Sequence, residues 1–563
     1  MTFTPEYVYN VRNVNSFREI YYQSLELFGN KTAFTFRNGD SVEEISYTRA
    51  CEEIRALAVY LNSKGYENTK IAVTGKNSYT WAISYFAIGC GSGIIVPLDK
   101  DLSQEQCEFI LSDAGCSAVI VSGELEEKFE SINVCEKLYM KDFPEYIAKG
   151  KELIAGGNTS FEDHKVDERA LGILLYTSGT TGVAKGVMLS QFNICQDLVQ
   201  VLKMFRLDET DTCLSVLPLH HTYECTAGLV AMFFVGATIA YNNSLRQLHA
   251  DLSLFRPTIF LAVPAILEKF KNIILDKYSS ITGGNIVLSV QKAIAKVSST
   301  PVKKKIFSTI NNTFGGRLTR ILCGAAPLAP DTFMLYEAFG IRILIGYGLT
   351  ETSPVTLMHN DGYRSPFDTG YPVVGTSAKI VDPNDEGIGE LAVKGPHVML
   401  GYYNNPEATA DVLRDGWFFT GDLAKVQPNG AISIVGRTKS MIVSPSGKKI
   451  FPEELEHHIE KCKFVAECMV FAVDKDGEPV VTASIFPRVE KLEEHFEKQG
   501  IKEGTPEFTA AVKTLFTEEI KSVNNNFPAY KAIKKVVIRT REFEKTTTQK
   551  IKRNSADNLS CDD

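Results

Sequence analysis

Short apolar runs alternate with longer helix-period segments over much of this chain. Between about Lys70 and about Tyr347, each strand-like run ends in Gly, Pro or another small residue. Helical segments lie between most of the runs, which is typical of parallel sheets covered by helices. Ligands bind at the carboxyl ends of strands in such sheets, so these Gly-rich ends mark a candidate site. The runs read KIAVTG, AVIVSG, LLYTSG, LSVLPL, TIFLAVP, RILCGAAPL and RILIGYGLT.

The pattern changes in the second half of the chain. Between about 375 and 435, the segments VGTSAKIVD, GELAVKG, GWFFTGD and AISIVGR predict the short strands of a β subdomain. After a boundary near Arg437, Pro452 suits the first turn of a helix, and Asp476-Gly477 suits a hairpin turn. We therefore expect an α/β protein. Residues 1–436 form a large domain of parallel sheets covered by helices with a β subdomain, 437–439 form a hinge, and 440–563 form a small mobile α+β domain.

One stretch of this chain could be mistaken for a membrane span. Cys225 to Tyr241 carries no charge and is only just long enough to cross a bilayer. Gly236 interrupts it, so the pattern favours a buried helix, a Gly turn and a buried strand.

Composition and charge exclude some classes of function. Apolar content of 44% and charged content of 23% describe an ordinary soluble globular protein. A net charge of −8 argues against nucleic acid as the main partner. The twelve cysteines show no C-x-x-C pair or zinc spacing, and the N-terminus has no apolar leader region. We therefore expect a reduced, cytoplasmic setting.

The segment YTSGTTGVAKGV, from Tyr176 to Val187, is rich in hydroxyl groups and glycine and follows an apolar strand. Such a turn brings backbone N–H groups close to phosphate oxygens, and Lys185 adds a positive charge. It is not a Walker P-loop, because Ala184 precedes the lysine and Gly186 follows it. The alternative is a solvated linker. The candidate phosphate-binding residues are Thr177, Ser178, Gly179, Thr180, Thr181, Gly182 and Lys185.

This loop resembles the phosphate loop of the acyl-adenylate-forming superfamily, which includes acyl-CoA synthetases, firefly-type luciferases and adenylation domains of peptide synthetases. The resemblance covers nearly the whole chain, with further motifs in the family's order. GYGLTET resembles the adenylate-binding motif, and Gly346, Tyr347 and Gly348 would line the nucleotide site. The resemblance implies that Tyr347 lies against adenine, Thr350 meets the α-phosphate and Glu351 holds Mg²⁺, which suits an aromatic face and a hard carboxylate. Alternatively, Thr350 caps a helix with Glu351 in its first turn.

Two further motifs resemble nucleotide-binding segments of that family. Gly324, Ala325 and Ala326 resemble the loop that borders the nucleotide and the acyl group, although they also suit a turn before a helix. In WFFTGD, the resemblance assigns Asp422 to the ribose hydroxyls; the alternative is a turn aspartate. Arg437 would contact ribose or phosphate.

The acyl and thiol sites follow from resemblance as well. In LPLHHTYE, His221 occupies the position that shapes the carboxylate end of the acyl pocket. We reject a zinc site there, because no H-E-x-x-H is present. Lys439 occupies the hinge position. Gly447, within Ser446-Gly447-Lys448, would approach the thiol-delivery tunnel, although a solvated basic turn is an equal alternative.

Near the C-terminus, EKTTTQKIKR resembles the family's catalytic-lysine loop and implies that Lys550 is the catalytic lysine. The chain departs from the family pattern at Glu544, where the family has Pro, and at Gln549, where it has Gly. Glutamine adopts positive φ only at a cost, so the loop geometry is in question. A basic tail is the alternative.

The segment from Leu267 to Leu318 resembles, in size and place, an addition found in long-chain fatty acyl-CoA synthetases. Its spacing predicts two apolar helix faces, flanked by Lys303, Lys304 and Lys305. Such a surface could contact anionic lipid, which predicts peripheral association with a membrane surface. The alternative is helices packed on the core with their lysines in water. The two faces are Ile286, Val290, Ile294, Val297 and Val302, Ile306, Ile310, Phe314.

Together these motifs predict an ATP-dependent fatty acyl-CoA synthetase. A carboxylate and ATP would give acyl-AMP and pyrophosphate, and CoA would then displace AMP. The implied ligands are ATP, Mg²⁺, CoA and a fatty acid. An acyl–carrier-protein ligase shares the first half-reaction, while a luciferase-like oxidoreductase or a non-catalytic binding relative is less favoured.

Overall fold

A computed structural model describes residues 9–177, 184–444, 448–475, 478–545 and 551–560. The chain forms two compact units. The first unit comprises Met1–Ala378, Val393–Phe418 and Asn429–Ile432. The second comprises Lys379–Ala392, Phe419–Pro428 and Ser433–Asp563.

The strands are short, and most of those predicted from apolar runs are present. In chain order they are β1 (Thr32–Asn38), β2 (Ser41–Ser46), β3 (Thr69–Thr74), β4 (Gly93–Leu98), β5 (Ala118–Val121), β6 (Glu136–Tyr139), β7 (Ile173–Thr177), β8 (Lys185–Leu189), β9 (Thr212–Ser215), β10 (Thr238–Tyr241), β11 (Ile259–Ala262), β12 (Arg320–Cys323), β13 (Arg342–Gly348), β14 (Val355–Met358), β15 (Tyr371–Pro372), β16 (Ser377–Val381), β17 (Gly389–Lys394), β18 (Gly401–Tyr402), β19 (Leu413–Arg414), β20 (Trp417–Val426), β21 (Ile432–Arg437), β22 (Ile442–Val443), β23 (Lys449–Ile450), β24 (Val465–Lys475), β25 (Glu478–Pro487) and β26 (Lys535–Ile538).

The α-helices lie mainly between these strands. They are α1 (Phe17–Phe28), α2 (Tyr47–Ser63), α3 (Tyr79–Gly91), α4 (Gln104–Ala114), α5 (Glu126–Glu130), α6 (Phe143–Ala155), α7 (Ser160–Asp163), α8 (Gln191–Leu202), α9 (Ala231–Val235), α10 (Leu248–Phe255), α11 (Pro264–Ser279), α12 (Gly284–Lys296), α13 (Thr300–Ile306), α14 (Ser308–Thr313), α15 (Pro330–Ala338), α16 (Pro406–Val412), α17 (Pro452–Ile459), α18 (Val489–Glu497), α19 (Pro506–Asn524) and α20 (Ala556–Leu559).

Two large sheets organise the first unit. One has the order β15-β14-β13-β12-β11-β9-β10-β1-β2, and the other has the order β18-β8-β7-β4-β3-β5-β6. Neighbours from β1 through β13 in the first sheet are parallel, as are β4, β3, β5 and β6 in the second. Strands β5 and β11 are buried along their whole length, as expected for strands covered on both faces. The structure thus confirms the predicted α/β class.

The uncharged stretch folds within the first unit as its pattern predicted. A π-helix, Tyr223–Val230, continues into α9, and Gly236 then adopts φ +84° before β10. The π-helix itself was not predicted. Within the described ranges, no helix combines the length and apolar character that crossing a membrane requires.

The added segment forms four helices rather than the expected two continuous faces. The face predicted for 302–314 is broken at Phe307, between α13 and α14. Ile310 and Phe314 are buried in the core, while Val302 is 46% exposed. The second half of this face is buried in the core, so the prediction of one long apolar face there was wrong.

The second unit has its own core. Strand β24 pairs antiparallel with β25, which confirms the predicted hairpin, although its Asp476-Gly477 turn lies outside the described residues. Strand β26 joins β25 in parallel, and α17 begins at Pro452 as predicted. Apolar residues of α17, α19 and the hairpin form the core. A separate five-stranded sheet has the order β16-β17-β20-β19 with β21 beside β20, which confirms the short strands predicted between about 375 and 435.

Every cysteine among the described residues is a free thiol, and all but Cys135 and Cys462 are buried. Burial raises the pKa of these thiols, for example to about 12 at Cys51 and Cys116 and to about 11 at Cys107, and partial burial raises the pKa of Cys135 to about 11.

Candidate active site

A β-hairpin carries the predicted phosphate loop in the first unit. Strands β7 and β8 are antiparallel, and their register places Thr177 opposite Lys185 at the end of the pair where the loop joins the two strands. The intervening candidates Ser178, Gly179, Thr180, Thr181 and Gly182 lie outside the described residues. The structure therefore places the two ends of the predicted loop side by side.

Lys185 and the predicted magnesium ligand Glu351 are linked through Tyr402. Strand β18 pairs with β8, and the Lys185 Nζ lies 5.2 Å from the centre of the Tyr402 ring. The Tyr402 hydroxyl donates a 2.8 Å hydrogen bond to Glu351 Oε1. Burial, together with the neighbouring Glu351 carboxylate, raises the pKa of Tyr402, so the hydroxyl keeps its proton and remains a donor.

The position of Glu351 also affects how Mg²⁺ could bind. Among the described residues, no three His, Cys, Asp or Glu side chains are grouped so that they could hold a metal ion. Magnesium is commonly bound by one or two carboxylates together with substrate phosphates and water. A single positioned carboxylate, such as Glu351, therefore fits an ion that arrives with a nucleotide. Sequence analysis missed Tyr402, because its role depends on strand pairing between distant segments.

The carboxyl ends of β12 and β13 bring two predicted loops together. These strands are parallel neighbours, with Cys323 beside Ile345. A Cβ atom added to Gly324 would lie 3.3 Å from the Gly346 carbonyl oxygen and from the Tyr223 ring. Ala325 adopts φ +71°, and Ala325 and Ala326 are both exposed. The two loops therefore form one continuous edge of the sheet.

The GYGLTET segment ends β13 and then makes a single 3₁₀ turn, Thr350–Thr352. Gly348 packs so closely that an added Cβ would lie 1.6 Å from the Pro354 carbonyl oxygen, so a side chain does not fit. The alternative interpretation, in which Thr350 caps a helix, was wrong, because Leu349 occupies the cap position. Buried Thr352 holds the turn instead, accepting a 3.0 Å hydrogen bond from the Leu349 N–H. Tyr347 and Thr350 are half-buried beside this turn.

The predicted acyl-pocket motif lies between β9 and the π-helix. The rings of His220 and His221 lie 4.2 Å apart, and His220 Nε2 is 3.4 Å from Asp99 Oδ2. His221 is half-buried.

Glu224, in the first turn of the π-helix, was not recognised from sequence as a separate feature. Its side chain is fully buried, and among the residues that the structure describes neither carboxyl oxygen has a hydrogen-bond partner of ordinary geometry. Gly228 leaves it room, since a Cβ there would lie 2.8 Å from Glu224 Oε1. Burial raises the pKa of Glu224 to about 8, although the nearby Ser215 hydroxyl and the amides of Val216 and Leu217 lower it in part. This carboxyl group therefore keeps its proton at neutral pH.

In the second unit, the structure brings Asp422 and Arg437 together. The Arg437 Nε lies 3.0 Å from Asp422 Oδ1, and the Asp422 side chain is almost completely buried. The Asp422 N–H donates a 3.1 Å hydrogen bond to Thr420 Oγ1, which fixes the turn that carries the carboxylate. The two residues predicted to hold ribose and phosphate are therefore direct neighbours.

The predicted hinge residue Lys439 lies in a single 3₁₀ turn, Thr438–Ser440, directly after β21. Beyond it, the Lys448 N–H donates to Ser444 Oγ at 3.0 Å, and Lys448 Nζ lies 4.6 Å from the centre of the Tyr530 ring. Ser446 and Gly447 lie outside the described residues.

Lys550 also lies outside the described residues, but the residues on either side of its segment are described. Lys545 and Ile551 form an antiparallel bridge. The Glu544 N–H donates a 2.8 Å hydrogen bond to Asn558 Oδ1, and the Glu544 carbonyl accepts one of 2.9 Å from the Lys552 N–H. Proline has no N–H and could not make the first of these bonds. The departure from the family pattern at Glu544 therefore has a structural role.

Comparison with known proteins identifies the family of this chain. The chain belongs to the family of AMP-binding enzymes, because the family's sequence model matches residues 22–403, and the model of the AMP-binding enzyme C-terminal domain matches 439–559. Membership of this family supports the coarse class of AMP-forming acid–thiol ligase, and enzymes of the family use ATP, Mg²⁺ and CoA.

Similar curated proteins include peroxisomal long chain acyl-CoA synthetase 6 of Arabidopsis thaliana, 28% identical over 76% of this chain and 66% of that protein. This chain thus spans slightly less than two thirds of that relative. Human long-chain-fatty-acid–CoA ligase 1 is 28% identical over 88% of this chain and 77% of that protein.

Solved structures share the fold at lower identity. The anthranilate CoA ligase AuaEII in complex with anthranoyl-AMP has a TM-score of 0.76 at 20% identity, covering 98% of this chain and 96% of that one. A fatty acyl CoA synthetase of Mycobacterium tuberculosis has a TM-score of 0.66 at 19% identity, covering 95% and 96%.

Proposed function

We propose that this protein is a fatty acyl-CoA synthetase. The fatty acid carboxylate attacks the α-phosphorus of ATP, which forms acyl-AMP and releases pyrophosphate. The CoA thiolate then attacks the acyl carbon and releases AMP, which leaves acyl-CoA. The observation that carries the proposal is the contact between Lys185, Tyr402 and Glu351 at the base of the phosphate loop.

In this proposal the protein positions the reactants and offsets negative charge rather than forming a covalent intermediate. Lys185 and Lys550 would contact phosphate oxygens, and Glu351 would hold Mg²⁺ with its carboxylate oriented by the Tyr402 hydroxyl. Thr350 would contact the α-phosphate. The remaining nucleotide contacts are proposed for Thr177, Ser178, Gly179, Thr180, Thr181, Gly182, Gly324, Ala325, Ala326, Gly346, Tyr347, Gly348, Asp422 and Arg437.

Two proposals concern the second half-reaction. Residues 440–563 would turn about the segment 437–439, with Lys439 at its centre, and Gly447 would then approach the CoA thiol.

His221 would shape the carboxylate end of the acyl pocket. The long-chain relatives support a fatty acid as substrate, whereas the ligase of similar fold takes anthranilate. A cytoplasmic setting with peripheral membrane contact is likewise proposed.

The test is pyrophosphate release over saturated carboxylic acids of graded length. Each buried CH₂ contributes about 0.8 kcal/mol, so kcat/KM should rise up to about fourfold per CH₂ until the apolar pocket is full. A preference for acetate or for aromatic acids over dodecanoate or palmitate would overturn the fatty acid assignment.

Further measurements distinguish other acceptors and other reactions. Replacing CoA with an acyl carrier protein identifies a carrier-protein ligase, and oxygen-dependent light emission identifies a luciferase-like reaction. Binding of ATP without pyrophosphate release would identify a non-catalytic relative.

A further inference from the structure

One buried side chain in the second unit joins both ends of the segment that carries Lys550. Asn558, in the short helix α20, is completely buried. Its Oδ1 accepts a 2.8 Å hydrogen bond from the Glu544 N–H, and its Nδ2 donates bonds of 2.9 Å to the carbonyl oxygens of Glu544 and Lys552. Asn558 thus connects the chain before residues 546–550, the Lys550 segment, to the chain after them.

The two ends of the Lys550 segment also contact each other directly. The Lys552 N–H donates a 2.9 Å hydrogen bond to the Glu544 carbonyl, and Lys545 and Ile551 form an antiparallel bridge. The buried amide completes this base, because it satisfies the Glu544 N–H and adds a second donor to the Glu544 carbonyl. Lys550 is bonded directly to Ile551, so a shift of the base moves the backbone of the lysine with it.

Helix α20 is itself fixed to the rest of the second unit. Arg539, which follows β26 and is 3% exposed, donates hydrogen bonds of 3.0 Å to the Asp557 carbonyl and 2.8 Å to Asp557 Oδ2. The Ser555 hydroxyl, at the start of the helix, donates a 2.7 Å hydrogen bond to Glu544 Oε2. Asn558 is therefore held by its own neighbours, as a residue that positions another must be.

This arrangement depends on a position at which the chain departs from the family pattern. The pattern has proline at 544, and proline has no N–H to donate to Asn558 and no carboxylate to accept from Ser555. A buried amide that lacks a partner destabilises the fold, so Glu544 and Asn558 are chemically matched. The base of the Lys550 segment therefore follows from this chain's own residues rather than from the family pattern.

We propose that Asn558 is a positioning residue for acyl-AMP formation. By joining Glu544 to Lys552, it would fix the base of the Lys550 segment before Lys550 meets the phosphate oxygens. The proposal rests on the proposed function, and in particular on the role of Lys550 in the first half-reaction. The alternative is that the amide only stabilises the second unit, which would affect both half-reactions alike.

The test measures the two half-reactions separately in variants of the full chain. With dodecanoate, Asn558→Ala should lower kcat for ATP–pyrophosphate exchange by about tenfold or more, because a displacement of about 1 Å can cost on the order of 10²-fold in rate. The same variant should convert supplied dodecanoyl-AMP and CoA to the thioester at a near-normal rate. Asn558→Asp keeps the size of the side chain and the acceptor but places a carboxylate oxygen against two carbonyl oxygens, so it should show the same split.

Asn524 provides a matched control in the same unit. Its Oδ1 accepts a 2.9 Å hydrogen bond from the Ile533 N–H, and its Nδ2 donates one of 3.0 Å to the Ile533 carbonyl. Asn524→Ala therefore removes the same kind of bond between an amide side chain and the backbone, but between α19 and the residues before β26. It should leave the ratio of the two half-reaction rates as it is in the unaltered protein.

A second measurement requires no turnover. Trypsin cleaves after lysine, and mass spectrometry can follow the product that is cut after Lys550. Because cleavage of a folded protein follows local opening, Asn558→Ala should be cut there several-fold faster than the unaltered protein, whereas Asn524→Ala should not.

The proposal is overturned if Asn558→Ala exchanges pyrophosphate as fast as Asn524→Ala, or if both half-reactions of Asn558→Ala fall by the same factor. Faster cleavage with unchanged exchange would also overturn it, since Asn558 would then hold the segment without serving the reaction. Failure of the proposed function would look different, because the unaltered protein itself would then show no pyrophosphate exchange with any carboxylic acid.

Discussion

Replacing Glu224 with glutamine should change how the stability of the first unit depends on pH. In the folded protein, burial raises the pKa of this carboxyl group from its ordinary value of 4.5 to about 8. Between these two values, the folded protein keeps the proton while the unfolded chain has lost it. The free energy of unfolding therefore falls as the pH rises through this window. Glu224→Gln has no proton to lose and should not show this fall.

The magnitude follows from the width of the window. Each pH unit inside it costs about 1.4 kcal/mol, so between about pH 5 and pH 8 the unaltered protein should lose on the order of 4 kcal/mol relative to Glu224→Gln. Glutamine is close to the protonated carboxyl group in shape, and it fits the space that Gly228 leaves open.

The assay is denaturant unfolding of both proteins at several pH values, followed by tryptophan fluorescence. The chain has two tryptophans, Trp81 and Trp417, and both belong to the first unit, so the signal reports on the unfolding of that unit. Comparing the two proteins at each pH cancels contributions from all other groups. Glu52→Gln, at an exposed position of α2, is the matched control.

One outcome would refute this reasoning. If the difference between the unaltered protein and Glu224→Gln stays constant from about pH 5 to pH 8, the folded protein holds Glu224 ionised. The two buried carboxyl oxygens would then require a cation or water that stabilises the charge.

Three further predictions concern the proposed reaction. Tyr402→Phe keeps the ring beside Lys185 and removes the hydrogen-bond donor to Glu351. The kcat/KM for MgATP in ATP–pyrophosphate exchange should therefore fall about tenfold or more. An unchanged value would show that the Tyr402 hydroxyl does not contribute to the function of Glu351. Lys439→Pro should leave acyl-AMP formation largely intact and suppress thioester formation, because it fixes φ at the proposed hinge; Lys439→Ala is the control, and equal loss of both half-reactions contradicts the hinge. Lys550→Ala should slow ATP–pyrophosphate exchange on the order of 10²-fold and still convert supplied acyl-AMP and CoA at a near-normal rate. Normal exchange in that variant would point to Lys552 instead.

The strands of the first unit could be predicted from sequence because their signal is local. Runs such as Ile259–Ala262 and Ala118–Val121 are apolar throughout, and burial on both faces of a parallel sheet requires that pattern. The broken helix at Phe307 could not be predicted this way. The spacing of Val302, Ile306, Ile310 and Phe314 suits one helix, but only the latter two residues are buried in the core.

The candidate site was predictable where the motif is continuous in sequence. Lys185 and Glu351 each lie in a recognisable segment. Tyr402 does not, because its contact with both depends on the pairing of β18 with β8. The raised pKa of Glu224 could not be predicted for a different reason. It results from burial of the side chain, and no residue spacing in the sequence indicates that burial. Pairing and burial are properties of the folded chain.

The raised pKa of the buried thiols affects how readily this protein would react with the disulfide form of its proposed acceptor, CoA. Disulfide exchange requires a thiolate, and a thiol with a pKa of about 11 or 12 is almost entirely protonated at neutral pH. Oxidised CoA would therefore find few reactive sulfurs in the described part of the chain with which to form a mixed disulfide. An enzyme of this kind could work in a pool of CoA thiol and CoA disulfide without becoming covalently trapped by its own substrate.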